Sequence, residues 1–248
     1  GGKIVTNLAF VFPGQASQFV GMASDLYSTR TEVKELFSKA NDVLGFDLAT
    51  ICFQGPEERL RETDVTQPAV FVHSVAVLLL LAKEGIFPSV VAGHSLGEYS
   101  ALVAAEALEF EEALELVRER SRSMLQAGFS NPGAMAAVIG LDAFEVNRLC
   151  EISSDRGVVV AANFNAPGQT VISGESDAVR YVGELCREAG AKRVVDLLVS
   201  GAFHSPLMKP AREALAHKLN SLEIRDITYP LYTNVDAKPI TKGENIKN

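Results

Sequence analysis

A serine framed by two glycines, in Gly93-His94-Ser95-Leu96-Gly97, stands where an apolar run gives way to helical spacing. Residues 89–92 read as a short buried strand, and from there on Leu96, Tyr99, Leu102 and Val103 recur at three- and four-residue intervals. This puts Ser95 at a strand-to-helix corner, where small neighbours permit a tight turn that exposes the hydroxyl. Such a corner supports nucleophilic attack, with the backbone N–H of Leu96 at the helix start free to point at a developing oxyanion. The competing reading is a packing turn whose serine caps the helix.

A serine hydroxyl needs a base at neutral pH. His73 sits inside an apolar helical run and reads as a core histidine; His217, in AREALAHKL, reads as a solvated one. His94 directly precedes the serine, so the backbone direction keeps the two side chains apart. That leaves His204, in the loop-like GAFHSP between a strand and a helix, where catalytic groups are commonly held. Arg118, Arg120 and Arg122 share one charged helix, and by spacing alone each reads as a solvated group.

These groups require elements to position them. The chain has 248 residues, 47% hydrophobic and 22% charged, enough for a large core with a smaller subdomain. A formal net charge of -8 argues against general nucleic-acid binding, which needs a basic surface. The longest apolar stretch, AVFVHSVAVLLLLA at 69–82, falls short of the ~18 residues that suggest a membrane span. It reads as a buried helix beginning at Pro68, and no membrane association is expected. Cys52, Cys150 and Cys186 are scattered, without metal-ligand spacing among them or the histidines, so no metal is expected. They read as reduced thiols of a cytoplasmic protein, or of an organelle matrix after removal of a targeting segment. Gly1 and Gly2 read as a processing scar, and no basic, apolar-cored leader is expected at the start.

Residues 8–12 read as a strand ending in the turn PGQASQ, with helices over about 19–27, 31–44 (stopped by Gly45) and 111–126. Strands alternating with helices imply a parallel sheet covered on both faces. Between 132 and 199 the order becomes βαββαβ, the split pattern of a ferredoxin-like unit. The predicted organisation is an α/β domain formed by residues 1–131 and 200–248, with a smaller subdomain at 132–199 inserted into it.

Six blocks in order, FVFPGQASQ, GHSLGEYSAL, the arginine-bearing RERSRSM, GAMAAVIGL, NFNAPGQTVISG and VSGAFHSPLM, resemble malonyl-CoA:acyl carrier protein transacylases and the related acyltransferase domains of fatty-acid and polyketide synthases. The resemblance runs from Phe10 to about Asn234 and implies an α/β-hydrolase-like domain with an inserted ferredoxin-like subdomain. It implies that Ser95 is the nucleophile, His204 its base, and the N–H groups of Gln15 and Leu96 the oxyanion hole. Arg120 is implied to bind the malonyl carboxylate, a task suited to the planar fork of a guanidinium. Phe203, Met135, His94 and Asn163 are implied to line the acyl pocket. An Ala-Phe-His sequence at 202–204 goes with malonyl over methylmalonyl in related polyketide domains.

The implied reaction is transfer of malonyl from malonyl-CoA to the phosphopantetheine thiol of an acyl carrier protein through a malonyl-serine, with no cofactor, in fatty-acid or polyketide biosynthesis. A monomer is the default expectation. The alternatives are a serine thioesterase or hydrolase, which would not need Arg120, and a non-catalytic carrier-protein docking module. The sequence departs from the family twice. Ala16 stands where a second glycine is usual, a change expected to be tolerated. The chain also stops at Asn248, before a further helix and strand whose backbone helps orient the histidine, so the C-terminal end reads as truncated.

Overall fold

The structure, a computed structural model, describes residues 7–247; the readings of Gly1, Gly2 and the leader segment lie largely outside that range. In chain order the elements are β1 (Ala9–Phe12), α1 (Ser24–Thr29), α2 (Thr31–Leu44), α3 (Leu48–Gln54), α4 (Glu57–Arg61), α5 (Thr63–Lys83), β2 (Val90–Gly93), α6 (Gly97–Ala104) and α7 (Phe110–Ser130). There follow β3 (Ala134–Ile139), α8 (Ala143–Ile152), β4 (Val159–Ala166), β5 (Gln169–Gly174), α9 (Ser176–Glu188), β6 (Arg193–Asp196), α10 (Lys209–Asn220), β7 (Leu231–Tyr232) and β8 (Pro239–Ile240). Two compact units result, one of residues up to Ser121 together with those from Ala216 onward, the other Arg122–Leu215.

The first unit is built on a sheet ordered β1-β2-β7-β8. β1 runs parallel to β2 in the register Phe12↔Gly93, β2 parallel to β7 with Val91↔Leu231 and Ala92↔Tyr232, and the two-residue β8 closes the edge antiparallel. α2 buries Val33, Leu36, Phe37, Ala40 and Leu44 on one face and ends at Gly45 in a left-handed conformation (φ +78°), as the periodicity predicts.

Two helix starts differ from the sequence reading. α1 begins at Ser24, not near Phe19, because Gly21 (φ +97°) and Ala23 (φ +62°) are left-handed and break the turn before it. α5 begins at Thr63, not Pro68. The turn ahead of the proline is held by the Val65 and Thr66 N–H groups on Glu62 O (2.9 and 2.7 Å) and by the Thr66 hydroxyl on Leu60 O. One ladder bond missing so near a helix start is tolerated. At 21 residues α5 is long and apolar enough to cross a membrane by length and composition, but its first two turns and more, through Ala76, are packed inside the unit.

The second unit is a four-stranded antiparallel sheet ordered β4-β5-β3-β6, the ferredoxin-like arrangement. Its central strand β3 is buried on both faces, by alternation. Ala136 and Val138 face α8 and α9, meeting Val146, Leu149, Val179 and Val182. Met135 and Ala137 face the other way and pack with Met124, Ala127, Phe203 and Met208. That second face is covered by the end of α7 and the start of α10. For this reason the unit extends over Arg122–Leu215, wider than the 132–199 stretch that the strand pattern delimits.

All three cysteines are free and buried. Burial pushes the thiols of Cys52 and Cys150 up to about 12 and that of Cys186 to about 11.

Candidate active site

The corner at Ser95 is closed by backbone against backbone. A Cβ on Gly93 would lie 1.9 Å from the carbonyl carbon of Gly97, and one on Gly97 would lie 2.2 Å from Phe12 O. No side chain fits at either position, which is the physical reason for both glycines. Between them Ser95 takes φ +52°, a left-handed conformation that costs a non-glycine residue about 1–3 kcal/mol. His94 N–H donates to Phe12 O (2.9 Å), tying the turn to β1, and Gly97 N–H donates to His94 O (2.9 Å). Among the described residues the N–H of Leu96, whose side chain is buried, has no acceptor in the turn. It is the first amide available at the start of α6.

The PGQ loop lies against this corner. A Cβ on Gly14 would sit 2.6 Å from His94 O and 2.9 Å from its Nδ1, so Gln15 follows directly on a segment packed onto the turn. Ser17 Oγ donates to Gly14 O (2.7 Å) and Ala16 N–H to Gln18 Oε1 (2.9 Å). Ala16 itself has φ +81°, the region where alanine is strained and glycine is not. Ala16→Gly is therefore expected to raise stability by about 1 kcal/mol, or about 2–4 °C in Tm for a chain of this size, despite the added freedom of the unfolded chain. A melting temperature equal to or below the native value would contradict this.

Arg120 completes the group. Of the three arginines on α7, Arg118 donates to Val43 O and Arg122 is exposed, while Arg120 is only 9% exposed. Its Nη1 donates to Gln67 Oε1 (2.6 Å) and its Nη2 to Ser95 Oγ (2.8 Å), and the guanidinium lies over the Tyr99 ring at 5.7 Å from the centroid. Burial pulls the guanidinium below its ordinary value, opposed by Tyr99 and Glu98. Gln67, fully buried on α5, was not among the residues singled out from sequence. A polar residue within an otherwise apolar buried run, as in TQPAVFV, is the signal that could have found it, since a buried amide requires a partner.

Burial holds the Glu98 carboxyl above its ordinary 4.5, opposed by the Asn234 N–H and by Arg120. The folded state thus favours the protonated form, so this group's contribution to stability is full below about pH 4.5 and is lost as pH rises through the raised value. Glu98→Gln, held neutral and still able to accept the Asn234 N–H, is expected to match the native Tm near pH 4 and to exceed it by about 2 °C near pH 7.5. Identical melting of the two proteins at both pH values would refute the assignment.

His204 lies in the second unit, exposed and also left-handed, with φ +61°. Its turn is fixed by Phe203 N–H on Gly201 O (3.0 Å), by Ser205 Oγ on Ala202 O (2.7 Å) and by Leu207 N–H on Ser205 Oγ (3.2 Å). Phe203 and Met135, each 5% exposed, belong to one apolar cluster, and half-buried Asn163 pairs with Val171 across β4 and β5. The sequence-derived residues thus fall into two sets. Ser95, Leu96, Gln15, His94 and Arg120 are in the first unit, and His204, Phe203, Met135 and Asn163 in the second.

A half-buried hydroxyl on a strained turn, a free helix-start amide and a buried guanidinium on that hydroxyl form a site for acyl chemistry on a negatively charged group. Comparison with known proteins agrees. The chain is 45% identical over 244 residues to the malonyl CoA-acyl carrier protein transacylase of Bacillus subtilis, covering 98% of this chain and 77% of that one. It is 44% identical over 245 residues to the Escherichia coli K12 protein of the same name, covering 98% and 79%. Among solved structures, an acyl carrier protein S-malonyltransferase from Vibrio cholerae superposes with a TM-score of 0.93 at 45% identity, over 98% of this chain and 79% of that one. A malonyl-transacylase in complex with its type II polyketide acyl-carrier protein superposes at 0.92 with 44% identity, over the same shares. Residues 9–246 match the acyl transferase domain family, and the chain belongs to it.

Proposed function

We propose that this acyltransferase moves a malonyl group from malonyl-CoA to the phosphopantetheine thiol of an acyl carrier protein by way of an ester on Ser95. The observation that carries the reading is the Arg120 guanidinium, buried and 2.8 Å from Ser95 Oγ. A malonyl ester carries its carboxylate one methylene from the carbonyl, within reach of a cation beside the ester oxygen, and an acetyl ester has nothing to offer it. The names of the relatives support the same substrate pair.

In the first half-reaction Ser95 Oγ attacks the thioester carbonyl while His204 takes the hydroxyl proton. The oxyanion is held by the N–H groups of Leu96 and Gln15. As it collapses, the C–S bond breaks and the coenzyme A sulfur leaves with the proton from His204. In the second half the carrier thiol gives its proton to His204, its sulfur attacks the malonyl ester, and the proton returns to Ser95 Oγ. One thioester replaces another, so the reaction requires no metal or redox cofactor and its equilibrium lies near balance. Phe203 is assigned to the acyl pocket, where its ring leaves little room for a methyl branch, with Met135, His94 and Asn163 as its other walls. One methyl is worth about 1–3 kcal/mol, so the preference for malonyl over methylmalonyl is graded. The proposed setting is fatty-acid or polyketide synthesis in the cytoplasm, or in an organelle matrix after removal of a targeting segment.

The test is intact-protein mass spectrometry after brief mixing with malonyl-CoA. The native chain gains a malonyl adduct, Ser95→Ala gains none, and added carrier protein removes the adduct as malonyl-carrier. Release of the adduct to water at the same rate with or without carrier would make the protein a thioesterase instead.

A further inference from the structure

The register of the first sheet places Asn234 at the corner that carries Ser95. Val91 pairs with Leu231 and Ala92 with Tyr232, and the same offset sets Asn234 opposite His94. In a parallel ladder a residue donates to the carbonyl before its partner and accepts from the N–H after it, as Pro230 O does from Val91 N–H (3.0 Å). For Asn234 those two groups are Gly93 O and Ser95 N–H. Both are bonded to Asn234, but through its side chain: Nδ2 donates to Gly93 O at 2.6 Å and Oδ1 accepts from Ser95 N–H at 2.7 Å. The backbone N–H of Asn234 donates instead to Glu98 Oε1 at 3.2 Å.

A regular strand at this position would keep Ser95 extended, whereas its φ is +52°. A carboxamide carries the same donor and acceptor as a peptide and stands away from its own backbone, so it can complete the ladder while the chain turns out of it. We infer that Asn234 is a positioning residue whose side-chain amide forms the last rung of the parallel ladder and holds Ser95 in the left-handed conformation that presents its hydroxyl. The same bond removes Ser95 N–H from the amides that could bind an oxyanion and leaves that role to Leu96. The inference rests on the proposal that Ser95 is the nucleophile.

The experiment uses the full chain with Asn234→Ala and Asn234→Asp. Three quantities are read: the rate of malonyl adduct formation on rapid mixing, the malonyl-CoA concentration for half-maximal rate, and the hydrogen exchange of the Ser95 amide. Asn234→Ala is expected to slow acylation about 30-fold or more, to shift the half-maximal concentration by less than about 3-fold, and to speed Ser95 exchange about 30-fold or more. Asn234→Asp keeps the acceptor and loses the donor; its Ser95 amide is expected to stay protected, with an acylation rate between those of the native and alanine proteins. Acylation within about 3-fold of native together with unchanged exchange in Asn234→Ala would overturn the inference. So would a rate loss in both variants that matches their loss of folded protein by circular dichroism. A native chain that never acylates Ser95 would sink the proposed function, while Ser95 exchange would still decide the role of Asn234 in holding the turn.

Discussion

Arg120→Ala is expected to lower kcat/KM for malonyl-CoA about 10³-fold and to leave acetyl-CoA as good a substrate as malonyl-CoA or better. The guanidinium is buried and bonded to Ser95 Oγ and Gln67, and its burial is opposed in part by Tyr99 and Glu98. A buried cation whose desolvation is only partly offset is primed for an anion. Removing one partner of a desolvated charge pair costs about 3–5 kcal/mol, and about 4 kcal/mol is a factor of 10³. The fold should be little affected, because relief of the buried charge offsets the loss of the Arg120–Gln67 hydrogen bond. Arg120→Lys restores the charge but not the fork or the ring stacking, and should recover only part of the activity. Steady-state kinetics on both acyl-CoA substrates decide it. A variant that loses malonyl and acetyl transfer equally would place Arg120 in support of Ser95 rather than in recognition of the substrate.

Gly97→Ala is expected to have the largest effect on stability, about 3 kcal/mol, lowering Tm by about 6–12 °C. The added methyl would lie 2.2 Å from Phe12 O and 2.8 Å from Pro13 O. Both are backbone atoms, so relief requires α6 to move away from β1 and the loop that follows it. That displacement also separates Leu96 from Gln15, the two proposed oxyanion donors, so acylation should fall even in the fraction that remains folded. Thermal melting measures the first effect and acylation per folded molecule the second. Native-like melting would mean that the strand, the turn and α6 are less tightly closed than these distances say.

Much of this was readable from residue order. Amphipathic spacing gave α2 and its stop at Gly45, and the strand pattern after residue 132 gave a ferredoxin-like sheet, because both depend on periodicities that one face of an element must satisfy. The corner at Ser95 was legible because glycines at 93 and 97 have no substitute where backbones touch. What spacing could not supply were partners distant in sequence. Gln67 reaches Arg120 across 53 residues and Asn234 reaches Ser95 across 139; the apolar run around Gln67 marks it as needing a partner, but no local spacing says which partner either residue meets. The start of α5 was missed because proline was read as a helix opener, although the turn before it is secured by carbonyls at Leu60 and Glu62. Burial, not spacing, sets Arg120 apart from its two neighbours on α7.

The buried cysteines bear on acyl traffic. Both substrates of the proposed reaction present a thiol or a thioester, and any protein thiolate within reach of them could capture the acyl group by transthioesterification. Thiols held at about 11 to 12 are ionised in only about one molecule in 10⁴ to 10⁵ at neutral pH, and these three are sealed in apolar cores as well. The protein therefore offers the incoming acyl group an oxygen and no competing sulfur of its own, and thiol-modifying reagents should leave its acylation untouched.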